Sequence, residues 1–268
     1  VTDAHQFCFG GEVPILVYTA SSGQTEVIAG QGAAPRLATR AHFETRGGIP
    51  GRGIEAAAVP AALDAVLTLL DRHGTRRFAE VAAPTLSLLD RHEQPWHADL
   101  ARTVRRLVQA EQASADRRGG LRLVADHFYR GPIAHEIDAW CREHGGLIRY
   151  EDLAGHVTPV EKPVTAVYRG DTVVKCGPWT QGPALLEALE LLDGFDLPTQ
   201  GRQSPETIHL AVEALKLALA DRDAYYADPR FVDVPLRPLL DPSYAQLRRP
   251  LIDRDHASLE LRPGDPEA

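Results

Sequence analysis

Apolar residues follow two rhythms along this chain. Near its start, Ile15 to Tyr18 is a short apolar run that reads as a buried strand. Ser21-Ser22-Gly23 reads as the turn after it, and Glu26 to Ala29 as the returning strand. Gly30 to Pro35 is loop. From there the period changes to that of a helix. Pro60, at a first helical position, opens a segment with Leu63, Val66, Leu67 and Leu70 on one face and Gly74 as its stop. Leu100, Val104, Leu107 and Val108 predict a second amphipathic helix from about His97 to Ala113. Ser114 to Gly120 reads as a polar break. The next helix starts near Pro132, sets Ile133, Ile137, Trp140 and Cys141 on one side, and ends at Gly145-Gly146.

The second half opens on a hairpin signal. Val164 to Tyr168 and Thr172 to Cys176 are rich in β-branched residues and flank Arg169-Gly170-Asp171. Gly177 to Pro183 is a loop loaded with Gly and Pro. A helix carrying Leu185, Leu186, Leu189 and Leu192 follows, closed by Gly194. Ser204-Pro205 is a cap followed by proline at the first helical position. It opens the longest helix, with Ile208, Val212, Leu215 and Leu219 expected as its buried stripe. Beyond Asp228-Pro229 a proline-punctuated tail holds one short helix near Ser243 to Ile252. The pattern is α+β: a mainly helical part over 55–160, then hairpin, Gly/Pro loop and helices over 161–227, then an extended tail over 228–268.

Composition narrows the function classes. The 268 residues are 44% hydrophobic and 25% charged, ordinary for a globular protein able to bury a core. No run approaches the ~18 apolar residues of a membrane span. A net charge of −8 offers no general attraction for polyanions, which argues against nucleic acid as a partner. Arg102, Arg105 and Arg106 read as a solvated helix face. Cys8, Cys141 and Cys176 lack paired spacing, so the reading is of reduced, partly buried thiols, a state that fits a reducing compartment such as the cytoplasm. The chain opens on Val1-Thr2-Asp3, contains no Met and closes on Arg262 to Ala268, a stretch poor in helix and strand formers. Both ends read as cuts within a longer gene product.

Self-contained active sites are missing from the sequence. It has no Gly-x-Ser-x-Gly elbow, no His-Glu-x-x-His pair and no Walker-type phosphate loop. The eleven histidines are scattered, and no metal or organic cofactor is implied. Two stretches stand out instead. Gly10-Gly11 precedes a strand, where a glycine pair marks either a tight turn or a ligand cradle. Gly177-Pro178-Trp179-Thr180-Gln181-Gly182-Pro183 is a rigid loop presenting Trp, Thr and Gln, suited to a pocket wall or to a packed connection.

The order of these pieces resembles the γ-glutamyltranspeptidase family. Val1 to Val17 resembles the segment leading into its glycine-rich strand start, with Gly10-Gly11 on two family glycines and Glu12 and Val13 where more glycine is usual. Gln31 to Pro35 resembles its Arg-Glu-x-Ala-Pro, Val59-Pro60-Ala61 its Val-Pro-Gly, and Arg72-His73-Gly74-Thr75 its Tyr-Gly-Thr. The most specific stretch is Phe128 to Ala134, followed by Gly145 to Ile148, Glu151-Asp152-Leu153, Tyr168-Arg169-Gly170 and the Gly-Pro-Trp loop. Glu213 to Lys216, Ala220-Asp221-Arg222 and Asp228 to Pro235 complete it.

The resemblance implies the large subunit of an N-terminal-nucleophile hydrolase, a four-layer αββα sandwich completed by a small subunit cut from the same precursor. Higher oligomers of that heterodimer would be compatible with it. The nucleophile would be the new N-terminal Thr of the partner chain, activated by its own α-amine or a nearby water, so this chain holds no catalytic residue. It would contribute a substrate wall: Gly10, Gly11, Gln31, Trp179, Thr180 and Gln181. The departures bear on substrate. In the family, Arg of Arg-Glu-x-Ala-Pro grips the α-carboxylate of a γ-glutamyl group, and that position is Gln31 here, followed by Gly32. Trp179-Thr180-Gln181 replaces the commoner Pro-Ser-Ser. The expected substrate is therefore a small acyl compound other than an ordinary γ-glutamyl amide. The alternatives are carbon–carbon hydrolysis of an oxo-acid in alkylproline antibiotic synthesis, hydrolysis of a small amide such as oxamate, and a non-catalytic scaffold.

Overall fold

The computed structural model describes residues 8–91, 93–201 and 203–267. The first seven residues of the Val1 to Val17 resemblance, and Ala268, lie outside them. The chain divides into two compact units. The first takes residues up to Ile15 and Ile28–Glu161; the second takes Leu16–Val27 and Lys162 onward.

Strands β1 (Val13–Thr19) and β2 (Gln24–Gly30) form the expected hairpin, and β3 (Val160–Glu161) adds on the β2 side. Burial alternates along β1, leaving Leu16 and Tyr18 exposed. This corrects the reading of a wholly buried strand: β1 has one covered face. β2 is different, with Val27 and Ile28 fully buried.

The first unit is otherwise helical: α1 (Arg40–Glu44), α2 (Ala62–His73), α3 (Phe78–Leu89), α4 (His97–Gln112), α5 (Arg117–Tyr129), α6 (Pro132–His144) and α7 (Tyr150–Ala154). The apolar faces of α2 to α7 meet in one core that includes Leu63, Leu67, Phe78, Leu107, Val124, Phe128 and Ile133. Each buried side chain of this size contributes about 2 kcal/mol. α2 begins two residues later than Pro60, and the amides of Ala61 and Ala62 at its start, which have no helical partner, donate to Gly11 O at 3.1 and 3.0 Å.

Helix α3 is not signalled by spacing, and its N-terminal cap explains why. The buried carboxylate of Glu111, on α4, accepts from Phe78 N at 2.7 Å and Ala79 N at 2.8 Å. Those end amides are satisfied by a residue far along the chain, which no local pattern reveals. The expected polar break at Ser114 to Gly120 is likewise half helix. Asp116 caps α5 through Gly119 N at 2.7 Å, and Arg117 donates to Leu70 O and Asp71 O at the end of α2. On α6, Ile133 and Cys141 are buried, but Trp140 is exposed and stacks on His144. Cys8 is exposed too, and none of the three cysteines is in a disulfide.

In the second unit, β4 (Val164–Tyr168) and β5 (Asp171–Lys175) pair antiparallel from Tyr168↔Asp171 to Val164↔Lys175. The two-residue turn needs left-handed backbone at both positions, and Arg169 (φ 52°) and Gly170 (φ 88°) supply it. Helices α8 (Gly182–Leu192), α9 (Leu197–Gln200), α10 (Pro205–Tyr225), α11 (Leu236–Leu239) and α12 (Pro242–Arg248) follow. α8 packs on α10 and on β4. Ser204 Oγ caps α10 through Thr207 N at 3.1 Å. The buried side of α10 holds Leu210, Ala214, Leu217 and Ala218, not the expected stripe. Ile208, Val212 and Leu215 are exposed, because the face packed on α8 is the one with small residues that allow close approach.

Candidate functional site

The candidate site residues fall in two groups, each described within its own unit. Gly10, Gly11 and Gln31 belong to the first. Gly11 N donates to Cys8 O at 3.1 Å, while Gly11 O takes both amides at the start of α2. Gln31 follows the last residue of β2, its N–H donates to Ala29 O at 2.8 Å, and its side chain is exposed. Gly32 is pressed against Val59, where any Cβ would collide with the Val59 carbonyl. Val59 N in turn donates to Ala33 O at 3.0 Å. Gly11 and the Gln31 loop thus dock on the same turn, Val59 to Ala62.

That turn is held from behind. The buried hydroxyl of Tyr129 donates to Pro60 O at 2.9 Å and accepts from Asp64 N at 3.1 Å. Burial, and then the nearby Asp64 charge, push its phenol well above the ordinary tyrosine range, so it stays a neutral donor. Asp64 Oδ2 takes Thr158 N at 2.8 Å. The far end of the Gln31 loop is clamped by Asp152, whose Oδ1 accepts from Arg36 N at 3.2 Å and Arg36 Nε at 3.0 Å. Arg36 also lies 3.6 Å from Glu151. The guanidinium closest in sequence to Gln31 is therefore committed to carboxylates of α7.

Trp179, Thr180 and Gln181 belong to the second unit. Trp179 and Thr180 are half-buried and Gln181 is exposed. The Thr180 hydroxyl donates to Gly177 O at 2.9 Å and accepts from Gly182 N at 3.0 Å, so it braces the turn that starts α8. Gln181 Oε1 accepts from Arg222 Nη1 at 2.9 Å, tying the loop to α10.

The helices that follow this loop hold a buried polar cluster that local sequence patterns do not reveal. Asp221, with no exposed surface, accepts from Tyr244 Oη at 2.9 Å, Arg248 Nη2 at 3.2 Å and Gly264 N at 2.6 Å. Glu187 sits nearby, 1% exposed, with Tyr226 Oη at 3.4 Å from its Oε2. Burial first, then the hydrogen bond and charge of Asp221, push Glu187 up to about 10. It is a neutral acid at physiological pH. The same surroundings raise the phenols of Tyr226 and Tyr244, burial being the main cause. Among the described residues no group of three acidic, His or Cys side chains could hold a metal ion, and no helix is long and apolar enough to cross a membrane.

The linked segments are the ones the resemblance singled out: Gln31–Pro35 with Val59–Ala61, Tyr129 and Asp152, and the Gly-Pro-Trp loop with Arg222. The family model for γ-glutamyltranspeptidase matches residues 1–93 and 89–266. The chain belongs to the γ-glutamyltranspeptidase family. Within this γ-glutamyltranspeptidase family it is 33% identical over 236 residues to the acylase ACY 1 proenzyme of Pseudomonas sp. (strain SE83), spanning 76% of this chain and 41% of that protein. A solved Thr-to-Ala variant of LmbA2991 matches with a TM-score of 0.83 at 35% identity, over 96% of this chain and 52% of the other. The Helicobacter pylori γ-glutamyltranspeptidase structure shares the fold, with a TM-score of 0.81 at 24% identity, over 96% of this chain and 83% of that chain. The α+β fold is that of these N-terminal-nucleophile hydrolases. The chain spans about half the length, or less, of the curated relatives it matches.

Proposed function

We propose that this chain is the large subunit of an autoprocessed hydrolase that cleaves a small acyl or amide substrate lacking the γ-glutamyl α-carboxylate. The attacking hydroxyl is an N-terminal Thr on a partner small subunit from the same precursor, which together with this chain completes the αββα sandwich. Its own α-amine or a neighbouring water takes the proton, the acyl group passes to the threonine oxygen, and water releases it. Membership of a family whose acylase relative is named a proenzyme supports the precursor and the acyl chemistry.

The observation that carries the substrate reading is the Gln31 position. It is exposed at the end of β2, in a loop fixed on both sides by Val59 and Asp152. A neutral amide there cannot replace a charged fork, and Arg36 is already engaged. Losing a bidentate guanidinium–carboxylate pair weakens binding by about 2–5 kcal/mol, enough to remove practical γ-glutamyl specificity.

Expression of the full precursor tests this in two steps. Intact-mass analysis is expected to give two chains, the second beginning with Thr; an active single polypeptide would refute processing. Assay with γ-glutamyl-p-nitroanilide and with simple N-acyl p-nitroanilides is expected to favour the latter. Robust γ-glutamyl turnover would refute the substrate assignment, and a partner chain starting with Ala or Gly would refute catalysis.

A further inference from the structure

Helix α10 carries apolar residues on two opposite faces. At about 100° per residue, Leu210, Ala214, Leu217 and Ala218 fall on one side, and all are buried. Ile208, Val212, Leu215 and Leu219 fall on the other, within about 60° of one another. There Ile208 is 55% exposed, Val212 44% and Leu215 41%, with Leu219 half-buried. A single exposed leucine is ordinary, whereas a helical row of large aliphatic side chains is a contact surface. A helix apolar on both sides is made to be sandwiched, yet among the described residues only one side is covered.

The charged neighbours do not obstruct the stripe. Lys216 is tied to Glu213 at 2.6 Å and to Ser258 O at 2.8 Å, and Arg222 to Asp223 and Gln181. What remains is an apolar strip about 16 Å long. Alone it is too small for a stable dimer of this chain, which needs roughly 800 Å² from each partner. It suits one contact within a larger interface, and the matched part is only 41% and 51% of two curated relatives, which have about as much chain again outside it.

We propose that the Ile208–Val212–Leu215–Leu219 stripe seats an apolar face of the small subunit, so that α10 is buried between α8 and the partner chain. The inference rests on the proposed two-chain architecture and adds the surface that binds the second chain.

The test uses the full protein with Val212→Cys, and separately with the photo-crosslinker p-benzoylphenylalanine at the same position. Maleimide labelling of the new thiol, located by peptide mapping, is expected to be at least about 100-fold slower in native protein than in urea. The photo-crosslink is expected to join α10 to a peptide from the region absent from this chain. Rapid native labelling, or a crosslink to a second copy of α10, would overturn the proposal. Intact mass separates the two levels. A processed protein with a freely labelled thiol would sink the docking surface alone. An uncut protein with the expected crosslink would sink processing alone.

Discussion

Tyr244 donates its hydroxyl to Asp221 Oδ2 at 2.9 Å, joining α12 to the buried side of α10. Oδ1 of the same carboxylate takes Arg248 and the backbone of Gly264, while Tyr225 Oη donates to Gly264 O at 2.6 Å. One buried carboxylate therefore fixes both the last helix and an irregular segment with no strand or helix of its own. Nearby, Glu213 holds the same segment by accepting from Ser258 N and Arg262.

Asp221→Ala removes the acceptor and leaves the buried Arg248 guanidinium uncompensated. The expected loss is about 3–5 kcal/mol in urea unfolding of the purified protein. Proteinase K should also cut faster within the Ser258 to Gly264 segment, which loses its anchor. Unchanged stability and unchanged proteolysis would contradict the anchoring role.

Glu187 gives a pH signature. Its folded pKa, raised to about 10 mainly by burial, exceeds the ordinary value of 4.5. Between those values the folded state holds a proton that the unfolded chain has released, so rising pH lowers stability, by at most about 1.4 kcal/mol per pH unit. Glu187→Gln keeps the shape and removes the titration. Its stability relative to wild type should therefore improve steadily from pH 5 to pH 9. A difference that stays constant with pH would show that Glu187 is charged in the fold.

Much of this fold is legible in the sequence, and the losses share a cause. The hairpins at Ser21–Gly23 and Arg169–Gly170, and helices α4 and α6, follow local period and turn chemistry. Helix α3 escapes because Pro84 interrupts its interior and two of its end amides are satisfied by Glu111, brought in from α4. The α10 stripe is misread because both faces of the helix are apolar, so the period cannot say which side this chain covers. The loops proposed as a substrate wall are visible as motifs, but the residues that brace them, Tyr129, Asp152 and Arg222, are joined to them only by the fold.

Gly32, beside Gln31, and the candidate Gly10 should respond differently to the same change. Gly32→Ala drives a Cβ into the Val59 carbonyl, and neither backbone is free to yield, because Val59 N is bonded to Ala33 O. A loss of roughly 3 kcal/mol or more is expected, seen as a lower urea midpoint or poor soluble yield. At Gly10 the nearest atom to an added Cβ is Cys8 Sγ at 3.8 Å. Gly10→Ala should stay within about 0.5 kcal/mol of wild type. Equal effects at both positions would refute the close packing of the Gln31 loop.

Gln31→Arg tests the substrate reading at its most specific point. The side chain is exposed and its backbone stays bonded to Ala29 O, so the exchange should fold normally. Arg36 cannot substitute for it, since Asp152 and Glu151 hold that guanidinium. An added charged fork that meets a substrate carboxylate contributes about 1.5–3 kcal/mol. This should raise kcat/KM for γ-glutamyl-p-nitroanilide about 10- to 100-fold, chiefly through KM, and leave simple N-acyl substrates unaffected. If a well-folded Gln31→Arg enzyme shows no gain, the loop does not face the substrate carboxylate, and the substrate class must be set by the Trp179–Gln181 loop or by the partner chain.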